Sequence, residues 1–260
     1  MAAPRLEKEM PFLEHLEELR IRLFWIVAAL AVGIIAAFAL MTQFDVMGLL
    51  LGPIHPYLPD GKLVFTNPGD PFRVLMMWSF ALGTLFAFPV IVWQVWGFLS
   101  PALYTHEKKV VVPVLAGATL LFLAGMALAF YVILPFTLRF LLAFQTDSMA
   151  PMITVSGYFG FVTGLVLAFG AVFELPIVIA ALTALGVVTP SFLSRYRRHA
   201  AVLCVITAAV ITPGGDPITL FVMTVPLYLL YEVSIGLSGI IYRRRLKRER
   251  ALMLSEEAGV

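Results

Sequence analysis

The chain has 260 residues, 61% of them hydrophobic and only 13% charged, with a net charge of +2 and a mean hydropathy of +0.95. A soluble globular domain carries about 25% charged residues, so that class is excluded and the bilayer sets the architecture. The single cysteine, Cys204, leaves no internal disulfide and no multi-thiolate metal site.

The first predicted element concentrates charge in a chain that has little of it. From Pro11 to Leu23, three carboxylates (Glu14, Glu17, Glu18), His15 and two arginines (Arg20, Arg22) share one short stretch. Phe12, Leu16, Leu19 and Leu23 recur at steps of four, three and four, which is one stripe of a helix. Pro11 suits a first helical position, and the glutamates lie toward the positive end of the helix dipole. The expectation is an amphipathic helix at the membrane surface feeding directly into a span. That span, 23–44, is uncharged and long enough to cross a bilayer. Mixed charges before it and its length argue against a cleavable signal, so it is expected to stay in the mature protein.

A loop rich in proline and glycine follows, containing Pro53, and then a second span over 74–99. A short charged turn over 100–109 precedes a third span, 110–138. The fourth, 155–187, carries Glu174 within it. The fifth, 199–212, is only about 20 Å of helix at 1.5 Å per residue. A tight turn at Pro213-Gly214-Gly215-Asp216-Pro217 leads into the sixth, 218–242, which carries Glu232. The expected fold is thus an all-α polytopic membrane protein, one six-span domain over 1–242, with a basic then acidic tail at 243–260. Fifteen of the 18 Lys and Arg fall on one side of a six-span arrangement; only Lys62, Arg73 and Arg139 fall on the other. The positive-inside rule then places both termini in the cytoplasm. Pro89, Pro113, Pro135, Pro176 and Pro226 lie inside spans and predict a curved, concave bundle. Gly160 and Gly164 have the spacing of a helix-packing face.

Two features ask for a function. An ionisable Glu174 within a span costs several kcal/mol unless paired, protonated or wet, so it reads as an acid hydrogen-bonded to a neighbouring helix, an ion site, a proton site or a socket for a partner's polar residue. Glu232 poses the same question nearer the interface. On the basic face, Glu14, Glu17, Glu18 and Glu107 form an acidic spot suited to a cationic ligand, because guanidinium pairs bidentately with carboxylate. No nucleophile–base pair, phosphate loop or metal-ligand spacing appears, and His15, His55, His106 and His199 are scattered. The basic run from Arg243 to Arg250 reads as a topology anchor with contact to anionic lipid rather than to nucleic acid. From the residues alone the chain is a receptor or scaffold, or else an ion-coupled transporter using Glu174 and Glu232.

Four motifs carry a resemblance. Phe12-Leu-Glu-His-Leu-Glu-Glu-Leu-Arg-Ile-Arg22, Pro101-Ala-Leu-Tyr-Thr-His-Glu-Lys-Lys109, Phe169-Gly-Ala-Val-Phe-Glu-Leu-Pro176 and Thr212-Pro-Gly-Gly-Asp-Pro217 resemble, in order, the TatC family of twin-arginine protein translocation. The resemblance implies a glove-shaped six-helix fold with a short final helix pair and cytoplasmic termini in a prokaryotic inner membrane. It implies recognition of twin-arginine signal peptides on folded cargo, assembly with TatA- and TatB-type single-span partners and further copies of the chain, and use of the proton-motive force, with no cofactor. Glu18 and Glu107 match the carboxylates that contact the arginines; Arg20 and Phe98 match residues needed around them. Glu174 matches the intramembrane glutamate, and Thr212 the partner-contact region. Pro53 and Asp216 match functional residues of the first and last external loops. Where some relatives carry glutamine this chain has Leu220, so the partner patch is expected to rest on Thr212 and Thr219.

Overall fold

A computed structural model describes residues 12–58, 62–99, 111–143, 152–212 and 216–258. The described residues are almost wholly helical: α1 (Phe12–Gln43), α2 (Val46–Leu51), α3 (Asp70–Leu99), α4 (Val111–Leu128), α5 (Leu134–Ala143), α6 (Val155–Phe173), α7 (Leu175–Ala184), α8 (Pro190–Arg195), α9 (Arg197–Ile211) and α10 (Pro217–Ala258). Among these residues five helical stretches are long and apolar enough to cross a membrane: Leu16–Gln43, Asp70–Phe98, Pro113–Ala143, Val155–Ala184 and Pro217–Lys247. The predicted fifth span corresponds to α9, whose 15 residues make only about 22 Å of helix, less than a hydrocarbon core of about 30 Å.

The charged N-terminal segment is not a separate surface helix. It continues without a break into the span as one helix of 32 residues, about 48 Å long. Its apolar stripe is not packed against the rest of the chain: Leu16, Leu19 and Leu23 are all exposed. No proline or glycine interrupts the segment before Gly33, so nothing bends it into the membrane plane.

What α1 does pack against is α3, and the two approach backbone to backbone. A Cβ placed on Gly33 would lie 2.5 Å from the carbonyl oxygen of Gly83, and one on Gly83 would lie 2.6 Å from the backbone of Ile34. Small residues allow this closeness, which in lipid must supply by van der Waals contact what the hydrophobic effect cannot. The Gly160/Gly164 spacing makes no such contact among the described residues: none of them lies within 4 Å of a Cβ on Gly164, and Gly160 meets the end of Met77 at 3.9 Å.

A continuous apolar core joins α3, α4 and α6. Phe88 of α3 stacks on Phe122 of α4 at 3.8 Å between ring centroids. Trp78 of α3 meets Phe159 of α6 edge to face at 6.3 Å. At the far end from the start of α1, two contacts tie described residues of different segments together. Val64 and Thr154 form a two-residue parallel bridge, and the Tyr158 hydroxyl donates to the Leu50 carbonyl at 2.8 Å.

The five prolines do different things. Pro113 lies in the first turn of α4, where no helical hydrogen bond is lost. Pro89 and Pro226 remain inside the uninterrupted helices α3 and α10. Only two coincide with a departure from α-helix. A π-turn, Ala129–Ile133, precedes Pro135, and the amide of Leu134 reaches back to Ala129; the wider turn moves the carbonyl four residues back away from the pyrrolidine ring. Before Pro176 the chain breaks at Glu174, separating α6 from α7. The tail also differs from a simple appendage: α10 runs 42 residues without interruption, carrying the basic run onward as helix.

The Gly33–Gly83 crossing yields a direct test. Gly83→Ala is expected to destabilise the protein by about 1–3 kcal/mol, because the obstacle is the backbone of Ile34 rather than a side chain that can swing away. Thermal unfolding in detergent measures it, and an unchanged midpoint contradicts the close crossing.

Candidate functional site

The start of α1 and the end of α3 meet at one end of the bundle. Glu18 and Arg22 are one helical turn apart on α1, so they share a face. Arg22 donates from both Nε, at 3.0 Å, and Nη2, at 2.5 Å, to the same oxygen, Glu18 Oε1. Its third nitrogen, Nη1, turns to α3 and makes long contacts with the Gln94 carbonyl at 3.4 Å and the Gln94 side-chain oxygen at 3.5 Å. Neither side chain of the ion pair is more than about a quarter exposed, at 22% for Arg22 and 23% for Glu18. The guanidinium lies over Gly97, where a Cβ would collide with Nη1. Phe98, half-buried, follows Gln94 by one turn on the same face of α3. A carboxylate, a guanidinium and an aromatic ring thus gather where α1 and α3 meet.

Arg20 is placed differently. Its side chain is 83% exposed and reaches Glu17 at 3.8 Å, on another side of α1 from the Glu18–Arg22 pair. The expected second carboxylate, Glu107, lies outside the described residues, as does the side chain of Glu14.

The intramembrane acid sits at the break between α6 and α7. Glu174 is half-buried, and its Oε1 is buried with no hydrogen-bond partner among the described residues. Thr163, also buried with an unpartnered hydroxyl among those residues, lies three turns earlier on the same face of α6. Glu232 is the contrary case. Arg197 of α9 donates to its Oε2 at 2.9 Å, and the Tyr228 hydroxyl donates to its Oε1 at 2.9 Å. Its charge is compensated within the chain and ties α9 to α10.

The expected partner-facing threonines point inward. Thr212 is buried, donating its hydroxyl to the Ala208 carbonyl at 2.7 Å and contacting Met223 Sδ at 3.0 Å. Thr219 is fully buried, with its hydroxyl unpartnered among the described residues. Asp216 caps α10, accepting from the Thr219 amide at 2.7 Å. Pro53 lies, half-buried, in the turn after α2 and directly before the fully buried Ile54.

Sequence reasoning passed over Arg22, Gln94 and Gly97. The arginine stood in the sequence as one charge among several, and only the antiparallel register of α3 reveals that it bridges two helices. The buried pair Thr183–Ser238, joined at 2.8 Å between α7 and α10, was likewise silent in the sequence.

A chain whose helices repeatedly cross the bilayer, with carboxylate–guanidinium pairs at helix junctions and no metal-holding group among the described residues, is a multi-span helical membrane protein. Comparison with known proteins gives the particular family. The model of TatC, the Sec-independent protein translocase protein, matches residues 14–226, and the chain belongs to that family. The TatC of Aquifex aeolicus (strain VF5) is 38% identical over 244 residues, covering 93% of this chain and 100% of its own. TatCy of Bacillus subtilis (strain 168) is 36% identical over 250 residues, 94% of each chain. A crystal structure of the twin-arginine translocase receptor TatC matches with a TM-score of 0.78 and 39% identity, over 87% of this chain and 99% of that one.

Glu232 is held by Arg197 and Tyr228 as a tie between α9 and α10. Glu232→Gln is expected to retain protein export within about twofold, since the amide keeps a hydrogen bond to both neighbours. Export measured in cells expressing the variant checks this, and a loss comparable to deletion of the whole chain contradicts it.

Proposed function

We propose that this chain is the signal-peptide receptor and membrane core of a twin-arginine translocase, which moves folded proteins across a bacterial inner membrane at the expense of the proton-motive force. The observation that carries the reading is the Glu18–Arg22 pair where α1 meets α3. Glu18 already accepts two N–H donors of one guanidinium, so its carboxylate stands in surroundings that admit that group. Arginine offers a planar fork of donors; lysine offers a compact point charge, which makes a poorer match. The membership of the chain in the TatC family supports the same reading.

In this account α9 is a sixth, short crossing and both termini are cytoplasmic, so the six helices form a single glove-like domain with 243–260 as its cytoplasmic extension. Glu18 and Glu107 contact the two arginines, with Arg20 and Phe98 flanking them. The partners are TatA- and TatB-type single-span proteins and further copies of the chain, and no cofactor or nucleic acid takes part. Glu174, exposed in part at the α6–α7 break, receives a polar group from a partner span. Thr212 and Thr219, being buried, shape the surface between α9 and α10 from beneath, and Pro53 and Asp216 hold the external turns. The rival, an ion-coupled transporter using Glu174 and Glu232, is disfavoured because Glu232 is internally paired.

Glu18→Ala and Glu107→Ala are each expected to abolish export of a twin-arginine cargo while the protein remains inserted. Each carboxylate contributes about 1.5–3 kcal/mol through charge-assisted hydrogen bonds. Wild-type export in both variants contradicts the assignment. For Glu174 the decisive pair is Glu174→Gln and Glu174→Ala. A socket retains export with the amide and loses partner crosslinking with alanine, whereas loss of export in both variants with crosslinking intact assigns the residue to proton coupling instead.

A further inference from the structure

We propose that Arg22 is the positioning residue of the arginine-reading site: its guanidinium clamps Glu18 against the end of α3 and so sets the carboxylate's orientation for the incoming signal peptide. The proposal rests on the reading of Glu18 given above. An ordinary glutamate–arginine pair four residues apart on an open helix is weak and fixes little. This pair differs in three respects. Both side chains are largely enclosed, at 22% and 23% exposure. The two donors of one guanidinium edge converge on a single oxygen of Glu18, and the remaining nitrogen reaches the Gln94 carbonyl and side chain on another helix. The surface beneath the guanidinium is Gly97, where a β-carbon would displace it.

Register explains why Arg22 arrives there. Counting eleven residues back from Gly33 reaches Arg22, and eleven residues on from Gly83 reaches Gln94. Four more in each direction bring Glu18 level with Phe98. The glycine crossing therefore fixes, about 16 Å away along each axis, which α3 residues stand opposite Glu18 and Arg22. A glutamate side chain left to itself samples several rotamers, and freezing them on binding costs affinity. Arg22 removes that cost in advance. An internal guanidinium in this place could act instead as a competitor of the peptide, and the two roles have opposite signs: loss of a clamp weakens peptide binding, loss of a competitor tightens it.

The experiment uses the full chain in nanodiscs of phosphatidylethanolamine and phosphatidylglycerol, with a fluorescent signal peptide bearing either Arg-Arg or Lys-Lys. Arg22→Ala is expected to weaken Arg-Arg peptide binding by about two- to tenfold, the loss anticipated when one rotamer-rich side chain must be ordered on binding, and to lower the Arg-Arg over Lys-Lys preference. Gly97→Ala, a substitution that favours helix and leaves every charge in place, is expected to do the same by pushing the guanidinium aside. Arg22→Lys is expected to recover thermal stability without recovering the preference, which a purely structural role of the charge does not predict. Wild-type affinity and preference in Arg22→Ala and Gly97→Ala, or tighter binding in Arg22→Ala, overturns the clamp. Glu18→Ala separates the two levels: if it abolishes binding while the Arg22 and Gly97 variants bind normally, only the clamp fails, and if it binds normally the site reading fails with it.

Discussion

The contact on which the rest depends is the crossing of α1 and α3 at Gly33 and Gly83. Two backbones meet there with no room for a β-carbon on either side. In lipid this kind of approach is the main way to hold two apolar helices in one register, because tails and side chains are equally apolar. Once that register is fixed, the ends follow as a matter of helical geometry. Arg22 falls opposite Gln94 and Gly97, Glu18 falls beside them, and a polar junction forms between two largely apolar helices.

The same logic, a fixed junction that places a polar group, recurs at the other end of the chain. Arg197 at the start of α9 pairs with Glu232 of α10, Tyr231 donates to the Leu193 carbonyl of α8 at 2.8 Å, and Thr183 bonds Ser238 between α7 and α10. In each case a group that would be costly in hydrocarbon is satisfied by a neighbouring helix. Glu174 stands apart. It sits at a helix break imposed by Pro176, and one of its oxygens finds no partner among the described residues. The contrast between a paired Glu232 and a Glu174 with one buried oxygen unpartnered among the described residues is what supports the proposed socket at Glu174.

Much of this was legible in the sequence, because the bilayer imposes a one-dimensional code. Uncharged runs gave the long helices, and the shortness of the fifth followed from its length alone. Glu18, Glu174 and the α9–α10 turn were visible as charge or motif. What the sequence concealed was whatever depends on helix pairing. The glycine spacing that looked suitable for packing, Gly160 and Gly164, meets almost nothing among the described residues, while Gly33 and Gly83, fifty residues apart in the chain, meet each other. The apolar stripe of Leu16, Leu19 and Leu23 is open in the folded chain, as a stripe meant for lipid can be, since a helix in lipid has no need to hide its apolar side. Thr212 and Thr219 looked like surface groups and are buried. Arg22 stood in the sequence only as one charge among several, because its contact with Gln94 is a property of two helices, not of one.

The most direct measurement of the central claim is photo-crosslinking from defined positions on α3 and α1 to a labelled twin-arginine signal peptide. A photoreactive residue replacing Phe98, level with Glu18 at the end of α3, is expected to capture the Arg-Arg peptide and to lose most of that product with a Lys-Lys peptide. The same residue at Ile35, exposed well along the span, is expected to capture neither. Equal capture of the two peptides at position 98, or stronger capture at position 35, would contradict a site built where α1 and α3 meet.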